Sequence, residues 1–145
     1  MRVLYVTTVG ATMRFFRSFI KELKKEGHDV EIATNQCASE IPDMYKDINC
    51  GSHHIDCTRS PFSFGNLIAI LQLRKLIKNG EYNIVHCHTP IASVCTRVAN
   101  KLVGQKNKTN VIYTAHGFHF YKGAPLLNWL IYFHWSGFVV GLQTL

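Results

Sequence analysis

The chain has 145 residues, 16 Lys and Arg against 9 Asp and Glu, a formal charge of +7, 47% apolar residues and 17% charged ones. That length holds one domain around a single core, and that composition excludes a disordered chain. The charge is lopsided: after Glu81 no acidic residue follows, while Arg97, Lys101, Lys106, Lys108 and Lys122 stand uncompensated, which suits phosphate-bearing ligands, an anionic membrane, nucleic acid or simply a solvated basic face.

Residues 2–8 form a β-branched apolar run that predicts a buried strand. A helix is predicted over 13–26, with Phe15, Phe16, Phe19, Ile20 and Leu23 at helical spacing and Gly27 as its stop. Residues 29–34 alternate like a strand, so the opening is a strand–helix–strand unit with a parallel, right-handed crossover. Residues 35–50 are irregular, with one helical turn near Asp43. A short third strand is predicted over 52–57, and Pro61, Ser63 and Gly65 mark a loop. Residues 66–78 carry Leu67, Ile68, Ile70, Leu71, Leu73, Leu76 and Ile77 on a broad helical face that Asn79 and Gly80 close.

Residues 82–88 predict a fourth strand. Thr89 then offers an N-cap oxygen, with Pro90 at the first helical position, and this helix runs to about Val103, stopping at Gly104. A polar loop over 105–110 leads to a fifth strand over 111–115 that ends at His116 and Gly117. A last apolar helix begins near Pro125. From Gly123 to Leu145 there is no charge, but Pro125, Asn128, His134, Ser136 and Gly141 make a poor membrane span, so an amphipathic helix and tail are expected.

Alternating strands and helices predict a Rossmann-like three-layer α/β/α sandwich whose parallel sheet has the order 3-2-1-4-5. Met1 and Arg2 lead straight into the first strand with no cleavage site. The odd set Cys37, Cys50, Cys57, Cys87 and Cys95 follows no disulfide framework, and Cys87 and Cys95 fall in apolar segments. Reduced thiols in a cytoplasmic protein are expected.

In such a sheet, ligands sit outside the carboxyl ends of the strands. There the chain offers Thr8 and Gly10 after the first strand, His88 and Thr89 after the fourth, and His116, Gly117, Phe118, His119 and Lys122 after the fifth. The single Gly10 is no dinucleotide fingerprint, and an ordinary tight turn explains it as well as a phosphate does. The helix opened by Thr89 and Pro90 would attract an anion, though plain capping accounts for it too. His86 and His88 share one strand face, with Cys87 opposite. With His116 and His119 they suggest a metal at first sight, but no carboxylate follows Glu81 to serve as ligand or base, so no metal site is expected. Cys50, His53, His54 and Cys57 have only loosely zinc-like spacing. His116 is the expected catalytic residue: a strand-end imidazole can orient or deprotonate a hydroxyl near neutral pH.

Three stretches carry a resemblance: Val-Leu-Tyr-Val-Thr-Thr-Val at the N-terminus, Ile-Val-His-Cys-His-Thr-Pro-Ile-Ala, and Val-Ile-Tyr-Thr-Ala-His-Gly-Phe-His-Phe-Tyr-Lys-Gly-Ala-Pro-Leu-Leu-Asn-Trp-Leu. They resemble the N-terminal domain of family-4 glycosyltransferases, retaining enzymes of the GT-B fold common in capsule and exopolysaccharide synthesis. The likeness spans residues 1–133, leaving 134–145 as an atypical tail. It implies that this domain binds the acceptor, a sugar or a lipid-linked sugar at the inner membrane face. The nucleotide-sugar donor is then held by a C-terminal domain that this sequence does not contain, in a cleft needing no metal.

The resemblance places His116 against the transferred sugar or acceptor and Gly10 near the donor phosphates, where relatives often carry two glycines. It makes the chain a truncated half, inactive alone, that binds no cofactor itself and sits in the cytoplasm or peripherally on an anionic membrane. The alternative is a non-catalytic, membrane-recruiting subunit that needs a separate donor-binding chain. A nucleotide-dependent oxidoreductase lacks its glycine fingerprint here, and nucleic-acid binding, which rests on charge alone, is not expected.

Overall fold

The computed structural model describes residues 1–104 and 109–116. The chain divides into two units, Met1–Thr114 and Ala115–Leu145; of the second, only Ala115 and His116 are described. The expected boundary at 133 and 134 lies outside the described residues.

The first unit runs β1 (Arg2–Val6), a 3-10 stretch (Gly10–Phe16), α1 (Arg17–Lys25), β2 (Asp29–Thr34), α2 (Met44–Asp47), β3 (Gly51–His54), α3 (Phe64–Gly80), β4 (Ile84–Cys87), α4 (Pro90–Val103) and β5 (Asn110–Tyr113). Its five strands form one sheet in the order β3-β2-β1-β4-β5, and every neighbouring pair is parallel. The Rossmann-like α/β fold and the strand order read from the sequence are those observed.

The strands are shorter than the apolar runs, because regular pairing stops before the hydrogen bonding does. Past the strand ends, Thr7 N–H donates to Ala33 O (3.1 Å), Ile55 N–H to Thr34 O (3.0 Å), His88 N–H to Val6 O (3.1 Å) and Thr114 N–H to Cys87 O (3.0 Å). Each run thus keeps its backbone paired one residue further, as a buried chain must.

Alternation sorts the strand residues into two cores. Leu4, Val6, Val85 and Cys87 pack with Leu73, Ile77, Ala92 and Ala99 of α3 and α4. Val3, Tyr5, Val30 and Ile32 pack on the other face with Met13, Ile20 and Tyr45. Helices therefore cover both faces of the sheet, as an all-parallel sheet requires.

The first helix departs from its expected apolar face. The chain opens as a 3-10 stretch, in which residues three apart eclipse, so Met13 and Phe16 share a side. The α-helical spacing that follows continues that side through Ile20 and Leu23. Met13 and Ile20 are buried and Phe16 and Leu23 half-buried, whereas Phe15 and Phe19 are 78% and 58% exposed.

The end of α3 also differs. The residue in the left-handed region is Glu81, at φ 49°, not Gly80. Gly80 is required for another reason: a β-carbon there would lie 2.2 Å from the Tyr82 ring.

At the amino rim a single carboxylate gathers the strands. Glu31 of β2 accepts hydrogen bonds from Arg2 Nη2 (2.8 Å), from His53 Nε2 (2.7 Å) and from the Tyr82 hydroxyl. Arg2 also pairs with Asp29 at 3.1 Å. One side chain of β2 is thereby tied to β1, to β3 and to the turn before β4. Burial raises the Glu31 pKa, but the hydrogen bonds from Tyr82, His53 and Arg2 outweigh it and leave it lowered.

Two outcomes follow. A glutamate pKa lowered by folding stabilises the protein above the unfolded pKa and loses that contribution as pH falls through the folded one. The urea midpoint should therefore drop on acidification below the ordinary glutamate value, and Glu31→Gln should flatten that drop. Leu73 is fully buried and Leu67 is 59% exposed on the same helix. Urea titration should show Leu73→Ala costing about 2–5 kcal/mol and Leu67→Ala within about 0.5 kcal/mol of wild type.

Candidate functional site

β1 and β4 are neighbours at the centre of the sheet, yet the chain leaves them towards opposite faces. From β1 it passes into the 3-10 stretch and α1, on the face of Tyr5. From β4 it passes into α4, on the face of Leu4. Helices diverging from adjacent strand ends leave a crevice at the switch point, the usual ligand position in open α/β sheets.

The rim of that crevice is built of rings. Tyr5 is the register partner of His86, and the two-residue alternation puts His88 on the same side. Tyr5 stacks on His88 with ring centres 5.2 Å apart at 15°. Phe16 lies 4.0 Å from His88, and the rings of His86 and His88 are 4.1 Å apart. His86 Nε2 reaches Thr114 Oγ1 at 2.8 Å, joining β4 to the end of β5. Burial pushes the Tyr5 hydroxyl well above the ordinary tyrosine pKa, so it stays neutral. The period of β4 alone puts His86 and His88 on one face but does not bring Tyr5 and Phe16 to them. The same period-two count applied to β1, two strands away in sequence but adjacent in space, carries the Tyr5 signal.

Hydroxyls follow the rings. Thr7 Oγ1 lies 3.0 Å from Val9 O and 3.1 Å from Thr34 Oγ1, and Thr8 is buried. Thr89 occupies the N-cap of α4 by its backbone, with Pro90 in the first turn, but its hydroxyl makes no capping bond. Thr89 Oγ1 is instead buried with no hydrogen-bond partner among the described residues. Two of the expected residue groups thus meet: Thr8 follows β1, and His88 and Thr89 follow its neighbour β4.

Gly10 has a reason of its own. A β-carbon there would come 2.5 Å from Ser39 O and 2.6 Å from Glu40 O, and the next N–H, of Ala11, donates to Ser39 Oγ at 2.7 Å. The bare α-carbon seats the loop after β1 against the 39–40 backbone. His116 belongs to the second unit, described by itself. Gly117, Phe118, His119 and Lys122 lie outside the described residues.

Two other clusters are engaged internally. A cleft of about 590 Å³ beside β3 and the last turns of α3 is lined by Arg2, Glu31, His53, His54, Lys75 and Tyr82, among others. Arg2, His53 and Tyr82 all serve Glu31 there, and His54 Nε2 faces Asp56 at 3.3 Å, so those heads hold the fold. The four loosely zinc-spaced residues turn to different partners: Cys50 Sγ to Val30 O (3.1 Å), His53 to Glu31, His54 to Asp56, and Cys57 into the core. Cys87 and Cys95 are buried as expected, and burial pushes the Cys87 thiol up to about 12.

Against known proteins, the family model described as Glycosyl transferase 4-like matches residues 2–139. EpsD of Bacillus subtilis (strain 168), a protein assigned as a glycosyltransferase, is 39% identical over 133 residues, which is 91% of this chain and 33% of EpsD. The chain therefore spans about a third of the length of that relative. Among solved structures, the C-terminal domain of a hydrogenase from Pyrococcus furiosus has a TM-score of 0.50 at 11% identity, over 79% of this chain and 89% of that one. The spinosyn rhamnosyltransferase SpnG with its aglycone has a TM-score of 0.43 at 15% identity, over 81% and 35%. The hydrogenase likeness shows a shared fold, and the lower score carries nothing further.

The contact of Gly10 with the 39–40 backbone sets a measurable expectation. Gly10→Ala should cost about 1–3 kcal/mol, because a backbone neighbour cannot rotate away as a side chain can. The urea midpoint should fall with an unchanged slope; an unchanged midpoint would show that the loop yields freely.

Proposed function

Since the chain belongs to the glycosyl transferase 4-like family, with the match covering residues 2–139, we propose that it is the acceptor-binding half of a retaining, nucleotide-sugar-dependent glycosyltransferase of cell-surface polysaccharide synthesis. The observation that carries this reading is the crevice at the ends of β1 and β4. There the Tyr5, Phe16, His86 and His88 rings cluster beside threonine hydroxyls. Aromatic faces and neutral hydroxyls suit a sugar, which presents apolar C–H faces and hydroxyl edges.

In the proposed reaction an acceptor hydroxyl forms a bond to the anomeric carbon of the donor sugar. The bond from that carbon to the nucleoside diphosphate breaks, with retention, and the diphosphate leaves with the electron pair. His116 would orient the acceptor hydroxyl or take its proton near neutral pH. Thr8, His88 and Thr89 would line the acceptor site with Gly117, Phe118, His119 and Lys122, and the Gly10 loop would lie towards the donor phosphates. The residues that grip the donor would come from a second domain outside these 145 residues. A sugar, or a sugar carried on a lipid, is the acceptor on this reading.

Two measurements test it. The purified 145-residue chain should release no nucleotide from any nucleotide sugar, and sustained turnover by it alone would overturn the half-enzyme reading. In a two-domain relative, alanine at the position matching His116 should lower kcat/KM by about a hundredfold or more; full activity there would remove His116 from the chemistry.

A further inference from the structure

α4 carries a buried cation that the chain does not neutralise. Arg97 is 8% exposed. Its one hydrogen bond among the described residues runs from Nε to Ser93 Oγ, at 3.3 Å. All nine acidic residues of the chain lie within 1–81 and are described, and none of them pairs with Arg97. Arg2 shows the contrast, since its guanidinium meets both Glu31 and Asp29. A guanidinium cannot shed its proton to escape burial, as a lysine can. An unpaired one, nine-tenths buried, therefore calls for an anion from outside.

The head points to the start of its helix. Side chains of an α-helix lean towards its N-terminus, and the bond to Ser93 sets the guanidinium beside the first turn of α4. Thr89, Ser93 and Arg97 stand at i, i+4 and i+8, on one line of the helix. Ser93 is fully buried, and the Thr89 oxygen is buried with no hydrogen-bond partner among the described residues. That oxygen makes no capping bond, so the first-turn N–H groups are left uncapped by it. Burial pushes the Cys87 thiol up, and the charge of Arg97 is among the influences that pull it back, which puts the guanidinium near the end of β4. Its amino nitrogens have no partner among the described residues, yet they are not among the sealed atoms that lack one, so they keep contact with solvent.

We propose that Arg97, with the first turn of α4, binds a phosphate group. The donors present are a guanidinium fork, the Ser93 and Thr89 hydroxyls, and backbone N–H groups at the positive end of a helix. A carboxylate has two oxygens, which the fork alone takes up. A phosphate has further oxygens for the hydroxyls and the N–H groups. The phosphate is free, borne on a sugar or part of a nucleoside diphosphate, and the three sources are told apart below. The inference needs no sugar transfer, so its failure leaves the transferase reading standing.

The test is thermal unfolding of the full chain in inorganic phosphate, glucose 1-phosphate or uridine diphosphate, each against chloride at equal ionic strength. The melting temperature should rise with ligand concentration, as binding to the folded state requires. Equal effects of all three assign a single phosphate; an effect of glucose 1-phosphate alone assigns a sugar phosphate, and one of uridine diphosphate alone a diphosphate. Arg97→Gln, with its fold checked by circular dichroism, should bind about tenfold or more weakly. Arg97→Lys, which keeps the charge but not the fork, should fall between. No rise with any of the three ligands overturns the proposal. So does an equal rise in Arg97→Gln, which would come from exclusion of the salt from the protein surface. Should neither variant fold, the wild type decides: the arginine Nε–H signal slowest to exchange with solvent should shift on phosphate titration, and an unmoved signal also overturns the proposal.

Discussion

The first unit is organised by the burial of β1 on both faces and both edges. A strand in that position can meet no water, so every backbone N–H and C=O must pair with a neighbour. β2 and β4 supply those partners. Its side chains must then be apolar towards both faces, as Val3, Leu4, Tyr5 and Val6 are. Two apolar faces need two helical layers, and a chain that serves both must leave β1 on one side and β4 on the other. The crevice between their carboxyl ends is thus a consequence of burying β1, present before any ligand is considered.

The two rims of the sheet are finished in opposite ways. At the amino rim Glu31 is saturated by Arg2, His53 and Tyr82. A ligand entering the neighbouring cleft would have to displace charge-assisted bonds that help hold three strands in register. Among the described residues, the ring cluster and the threonine hydroxyls of the carboxyl rim hold no such ionic hub, and the Thr89 hydroxyl has no hydrogen-bond partner. Cleft size is therefore a poor guide here: the roomy cleft beside β3 is lined by side chains that hold the fold.

Element types, strand order and the shared face of His86 and His88 were legible in the sequence because period two and period 3.6 are local and strong. Three features were not, and each depends on a contact that periodicity does not report, two of them between residues distant in sequence. Gly10 resembles a phosphate-loop glycine, yet its missing β-carbon answers the Ser39 and Glu40 backbone. Gly80 resembles a helix-stopping glycine, yet its neighbour Tyr82 needs the space and Glu81 makes the turn. The Glu31 hub joins residues 2, 31, 53 and 82, whose approach is fixed only once the strand order is known. His116 stood out in the sequence as an imidazole at a strand end, and the resemblance added its place against the transferred sugar or acceptor.

α3 marks a different limit. Hydrophobic periodicity reports which residues avoid water in the working state, not what covers them. On a helix with one apolar face, the core is the obvious cover. α3 has two, and its own fold buries only the side of Ala69, Leu73 and Ile77. The broad apolar face read from residues 66–78 was therefore two faces merged. The surplus side still bears exposed leucine and phenylalanine beside exposed arginine and lysine. Leaving that much apolar surface in water costs about 25 cal/mol per Å², and a chain that needed only solubility would have no physical reason to keep it.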